Sequence, residues 1–151
     1  MMRMLLTIVA MTGGAGAAAN AQEKAPACTI TYRASDDIKQ RIRQEGFDFD
    51  GFDGLCPALK RAGVVIDIED GRGVMVERAY GWAVIRLVRT TTGAYSSRSQ
   101  SNTVMSRTAS TPEADLLVMA AMNNALAGVA RDAALFIASV DTAERALRPG
   151  G

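Results

Sequence analysis

The stretch VVIDIEDGRGVMVERAYGWAVIRLV, residues 64–88, decides the fold. Apolar side chains at Val64, Ile66 and Ile68 alternate with a more polar set, which is the period of a half-buried strand. Asp70-Gly71-Arg72-Gly73 is typical of a turn, and the apolar run that follows Gly81 is typical of a central strand. The segment therefore predicts a β-hairpin at the centre of a sheet.

The residues before this hairpin predict one short strand and two short helices. Residues 28–32 have the β-branched and aromatic bias of a strand. Ser35 is placed as the N-cap of a first helix that ends near Gly46, and Gly63 closes a second helix.

The residues after the hairpin predict an edge strand and a long helix. Residues 96–108 are mostly polar, so this segment is either an edge strand, which we favour, or a mobile loop. Ser110-Thr111-Pro112-Glu113 forms a capping box, and a broad apolar stripe continues from Glu113 to about Ser139. This pattern predicts one continuous helix.

Together these elements predict an α+β fold in two layers. An antiparallel sheet of about four or five strands packs against the long C-terminal helix, and two short helices precede the sheet. Length predicts a single domain, which we place at residues 28–147, with a flexible tail at 148–151.

The N-terminus predicts export. Arg3 precedes a short apolar run, residues 5–11, and Ala19-Asn20-Ala21 is a small-x-small cleavage site. The run is too short to span a bilayer. We therefore expect a cleaved secretion signal at residues 1–21, a flexible leader at 22–27 and a periplasmic or secreted product.

Export makes a disulfide between Cys28 and Cys56 the expected state of the two cysteines. Closing a loop of this length stabilises the folded state by about 3.5 kcal/mol in the chain-entropy model. A metal pair or a reactive thiol is the alternative, although neither a Cys-x-x-Cys spacing nor a histidine supports it.

Composition excludes several classes of function. The chain has no histidine, so serine or cysteine nucleophiles activated by histidine and histidine-ligated zinc are absent. The net charge is +1 and aromatic residues are few, which argues against nucleic-acid binding. No cofactor motif is present, and we expect no cofactor and no transmembrane segment in the mature chain.

Three carboxylates form the first candidate site. Asp48, Asp50 and Asp53 lie in a glycine-containing loop, and carboxylate oxygens are ligands for a hard cation such as calcium. The spacing does not match an EF-hand loop. The alternative is a loop that buries Phe47, Phe49 and Phe52 and leaves the acids in solvent.

Tyr80, Trp82, Arg86 and Tyr95 form the second candidate site. Side chains alternate along a strand, so Trp82 and Arg86 share one face. Tyrosine, tryptophan and arginine are enriched at binding hot spots. If the long helix leaves this face uncovered, it is a binding surface; otherwise Trp82 belongs to the core.

The function predicted from these features is binding rather than catalysis. We expect a small exported protein that acts through a sheet face or a sheet edge on an envelope or secreted protein, or on a small ligand. An envelope accessory factor and an inhibitor or immunity protein both fit this description. The alternative is a hydrolase of envelope glycans that uses the acids of residues 45–53.

Overall fold

The computed structural model describes residues 28–148. The predicted signal and leader, together with most of the predicted tail, lie outside these residues. The helices are α1 (Asp36–Glu45), α2 (Phe52–Ala62), α3 (Thr111–Arg131) and α4 (Ala133–Leu147), and the strands are β1 (Tyr32–Arg33), β2 (Val64–Met75), β3 (Arg78–Arg89) and β4 (Gln100–Ser106).

The four strands form a single sheet in the order β1-β2-β3-β4. The α+β class is therefore confirmed, but the prediction of an antiparallel sheet is wrong, because β1 runs parallel to β2 while the other pairs are antiparallel. The reason is the connection between β1 and β2. Helices α1 and α2 carry the chain back across the sheet, so β2 enters in the same direction as β1.

The central hairpin is longer than the sequence predicts. Strands β2 and β3 pair without interruption from Val64 opposite Arg89 to Met75 opposite Arg78. The turn is therefore at Val76 and Glu77, and the prediction of a turn at residues 70–73 is wrong. Gly71 and Gly73 are instead strand residues within the paired region.

The predicted long C-terminal helix is two helices. Helix α3 ends at Arg131 and α4 begins at Ala133, with Asp132 between them at φ −111° and ψ 24°. No proline or glycine marks the break. The bend lets α4 return to the sheet, where Phe136 and Val140 are buried in the same core as α3.

The core lies between α3 and one face of the sheet, with α1, α2 and α4 around it. Gly81 marks the closest approach, because a Cβ atom at that position would lie 2.2 Å from the backbone nitrogen of Val118 in α3. The fully buried side chains include Ile38, Leu55, Ile66, Ile85, Leu87, Val118, Met122 and Leu126. We call the opposite side of the sheet, which α3 does not contact, the outer face.

Two groups of ion pairs join the layers at their rims. Arg72 of β2 contacts Asp37 of α1 at 2.7 Å and Asp115 of α3 at 2.5 Å. The hydrogen bond from Arg72 holds the pKa of the Asp37 carboxyl below its usual value. At the other end of the sheet, Arg89 pairs with Glu144 of α4 at 3.1 Å.

Cys28 and Cys56 are joined by a disulfide, with their Cα atoms 6.0 Å apart. Cys56 is fully buried in α2. The bond therefore attaches the chain just before β1 to the helix that crosses back over the sheet.

Candidate binding surface

The candidate residues on β3 lie on the outer face. Ala83, Ile85 and Leu87 face α3 and are fully buried, whereas Trp82 and Arg86 alternate with them and are half-buried. The strand period therefore places the aromatic and cationic side chains on the side that α3 leaves open.

Trp82 and Tyr80 lie across glycines of the neighbouring strand. Trp82 is opposite Gly71 and Tyr80 is opposite Gly73 in the β2–β3 register. A Cβ atom at Gly71 would lie 2.5 Å from Nε1 of the indole, and one at Gly73 would lie 2.7 Å from the phenol oxygen. The two rings therefore rest on bare backbone, and each glycine supplies the space for one ring.

Exposed methionines extend this aromatic pair towards the hairpin turn. Met75 of β2 is 50% exposed, and Met105 of β4, which is opposite Tyr80, is also 50% exposed. Val76, in the turn itself, is 97% exposed. This end of the outer face therefore combines Tyr80 and two methionines with the exposed Arg78, which lies opposite Met75, and flexible methionines are well suited to contacts with a partner.

Charged side chains occupy the other end of the outer face. Arg86 pairs with Asp67 at 3.4 Å and with Glu69, both on β2. Its guanidinium also lies over the ring of Tyr95, 5.1 Å from the centroid. Tyr95 reaches this face through its bridge to Val88. The structure thus brings Tyr80, Trp82, Arg86 and Tyr95 to one surface.

Sequence reasoning missed the residues of β2 and β4 that complete this surface. Asp67 and Glu69 were visible in the alternation of β2, but their pairing with Arg86 depends on the register of the hairpin. Because the sequence pattern predicts the turn too early, it places Gly71 and Gly73 in a loop rather than opposite Trp82 and Tyr80.

The three aspartates of the first candidate site, Asp48, Asp50 and Asp53, are all exposed. Within residues 28–148, no group of three or more acidic, cysteine or histidine side chains is arranged to hold a metal ion. The phenylalanines between the acids turn inward, where Phe47 packs edge-on against Tyr32 with ring centroids 5.4 Å apart. The structure therefore favours the alternative for this loop, a solvent-exposed row of acids over a packed aromatic cluster.

Two concave sites lie near β1, away from the outer-face aromatic residues. One, of about 290 Å³, is lined by apolar side chains that include Ile30, Tyr32, Ile42, Phe47 and Phe52. The other, of about 170 Å³, lies beside Cys56 and Leu59. Neither includes a residue of either candidate site.

Across the described part of the chain, none of the helices combines the length and apolar character needed to cross a bilayer.

Comparison with known proteins gives little further information. No protein-family model matches the chain, and no curated protein matches it. Among solved structures, the chain is similar to a protein of Caulobacter crescentus described as a "putative lipoprotein", with 18% sequence identity. The match covers 68% of this chain and 89% of that chain, with a TM-score of 0.28. A likeness at this level assigns neither the fold nor the function of this chain.

Proposed function

We propose that this chain is an exported, disulfide-bonded binding protein that recognises an extracytoplasmic protein through the outer face of its sheet. The observation that carries the proposal is the placement of Trp82 and Tyr80, which lie flat on glycines on the side of the sheet that α3 leaves open. Aromatic side chains held in this way are ready to make contacts without a large loss of conformational entropy.

The shape of the surface favours a protein over a small ligand. Small molecules are usually bound in clefts that enclose most of their surface. Among the described residues, an apolar concavity and a mixed one lie near β1, and a polar one lined by Glu77, Arg78 and Arg107 lies at the hairpin turn, while Trp82 and Tyr80 form part of a sheet surface. The outer face instead presents tyrosine, tryptophan, methionine and arginine side chains, which are residue types enriched at protein interfaces.

The disulfide supports an oxidising location. Disulfides persist in the periplasm and outside the cell, and are rare in the cytosol. The Cys28–Cys56 bond therefore agrees with the secretion signal predicted at residues 1–21. An accessory role in the envelope and an inhibitory or immunity role both require a protein partner outside the cytoplasm.

The acid-dependent hydrolase has weaker support. A general acid at neutral pH needs an environment that raises its pKa, usually a site shielded from water. Glu45, Asp48, Asp50 and Asp53 are all exposed to solvent. The concavity of about 290 Å³ beside this region is lined by Gly46, Phe47 and Phe52 but by none of these four acids.

Affinity capture from the host's own envelope tests the proposal. The full chain is expressed with its predicted secretion signal, and the exported product is used as bait. The variants Trp82→Ala and Arg86→Ala are compared with the control Arg131→Ala, which changes a side chain exposed on α3. We expect one stoichiometric protein that is lost with Trp82→Ala and retained with Arg131→Ala. Equal capture by all variants, with each variant shown to be folded, would contradict the proposal.

A further inference from the structure

We propose that β4 pairs with β4 of a second copy of this chain, joining two four-stranded sheets into one continuous sheet. The dimer uses the backbone of the edge strand, whereas the proposed function rests on the side chains of Trp82 and Tyr80. The two sites adjoin, because Thr103 and Met105 of β4 lie opposite these rings, so each proposal has its own measurement.

The hydrogen-bonding direction of β3 shows which groups of β4 are free. Leu87 O accepts a hydrogen bond from Ser96 N at 2.7 Å, and Arg89 N donates to Ala94 O at 2.9 Å, so the backbone groups of Leu87 and Arg89 point towards the β4 side. Alternate residues of a strand point to the same side, and β3 pairs with β2 without a bulge, so every second residue from Arg89 to Ala79 also points towards β4. The residues of β4 opposite this set are Gln100, Asn102, Val104 and Ser106.

The remaining residues of β4 therefore direct their backbone groups away from the sheet. Ser101, Thr103 and Met105 present N–H and C=O groups to the open edge, and their side chains are exposed. Within residues 28–148, no backbone hydrogen bond from another element reaches these groups. They form a ready template for one more strand.

This edge lacks the usual protection against pairing. Natural edge strands are shortened, bulged or marked with lysine, proline or other charged residues. Residues 100–106 contain no charged residue and no proline, and their register with β3 is continuous. The opposite edge consists of the two-residue β1 and, beyond it, of β2, which carries the charged residues Glu69, Asp70 and Arg72 there.

A second copy fits the edge because the strand is complementary to itself. Antiparallel pairing centred on Thr103 places Thr103 opposite its own copy and Ser101 opposite Met105. Each of these pairs can exchange two backbone hydrogen bonds. The flanking cations avoid each other, because Arg98 falls opposite Thr108 and Arg107 opposite Ser99. The dimer therefore brings no like charges into register.

A charge swap at Thr103 tests both the dimer and its register. The exported product is studied by sedimentation equilibrium from about 1 µM to about 1 mM, as wild type, Thr103→Lys, Thr103→Glu and the control Thr91→Lys, which alters an exposed threonine in the turn after β3. Like charges directly opposite one another should weaken association by at least about 10-fold.

We expect concentration-dependent dimers for the wild type and the control, weakened association for each Thr103 variant alone, and restored dimers when the two variants are mixed in equal amounts. A wild-type monomer throughout this range would overturn the proposal and leave the edge to a strand of another protein. Variants that associate as well as wild type, or a mixture that fails to restore the dimer, would also overturn it. Trp82→Ala should leave the dimer intact while it abolishes partner capture, so failure of one proposal is distinguishable from failure of the other.

Discussion

Substitution of Gly81 by alanine tests the packing that leaves the outer face open. The added Cβ would lie 2.2 Å from the backbone nitrogen of Val118 and 2.4 Å from the carbonyl carbon of Leu117. Carbon atoms in good contact are about 3.5–4.0 Å apart, so α3 would have to move by more than about 1 Å. Overpacking of this kind costs about 1–3 kcal/mol.

The gain from replacing a glycine is smaller than this cost. Alanine in place of a strand glycine recovers about 0.5–1 kcal/mol of conformational entropy. The free energy of unfolding should therefore fall by about 1–2 kcal/mol, which lowers the urea midpoint by about 1 M at an m-value near 1.5 kcal/mol/M.

The matched control is Gly54→Ala in α2. A Cβ at this position meets no atom within 4 Å. Alanine is also the better helix former, by about 1 kcal/mol, so the urea midpoint should rise. Equilibrium unfolding followed by circular dichroism compares the two variants with wild type. A Gly81→Ala midpoint equal to or above that of wild type would refute the packing of α3 against β3.

Two further predictions concern the disulfide and the ion pairs. Replacing both Cys28 and Cys56 with alanine should lower the free energy of unfolding by about 3.5 kcal/mol, because the sequence separation of 28 closes a long loop. A urea midpoint that barely changes would contradict this. The folded-state pKa of Asp37 is lowered from its ordinary value of 3.8, so its contribution to stability is present above that pH and is lost as the pH falls. Asp37→Asn should therefore lower the urea midpoint at neutral pH and flatten its decline towards about pH 3; a decline as steep as that of wild type would contradict the pairing with Arg72.

The sequence predicted the parts of the fold that depend on local patterns. Alternation identified the start of β2 and the central position of β3, and Ser35 caps α1 as expected, accepting a hydrogen bond from Ile38 N at 3.4 Å. Alternation also placed Trp82 and Arg86 on one strand face. Alternation does not show which face of the sheet the long helix covers, because that depends on the close packing of α3 against Gly81.

The errors arose where a local signal had a tertiary cause. Gly71 and Gly73 resemble a turn, yet they stay within β2 because the rings of Trp82 and Tyr80 occupy the space above them. The break at Asp132 has no local marker and follows from the return of α4 to the core. The parallel pairing of β1 was accessible from the sequence, since two helices between strands favour a crossover.

The outer face as a protein-binding surface is the central claim, and site-specific photo-crosslinking in the host tests it most directly. A photo-reactive amino acid replaces Met75, which is 50% exposed on the outer face, or Leu135, which is 52% exposed on α4 and serves as the matched control. We predict that position 75 captures one extracytoplasmic protein in a defined complex, while position 135 does not. Absence of any adduct at position 75, or the same adducts at both positions, would contradict the claim.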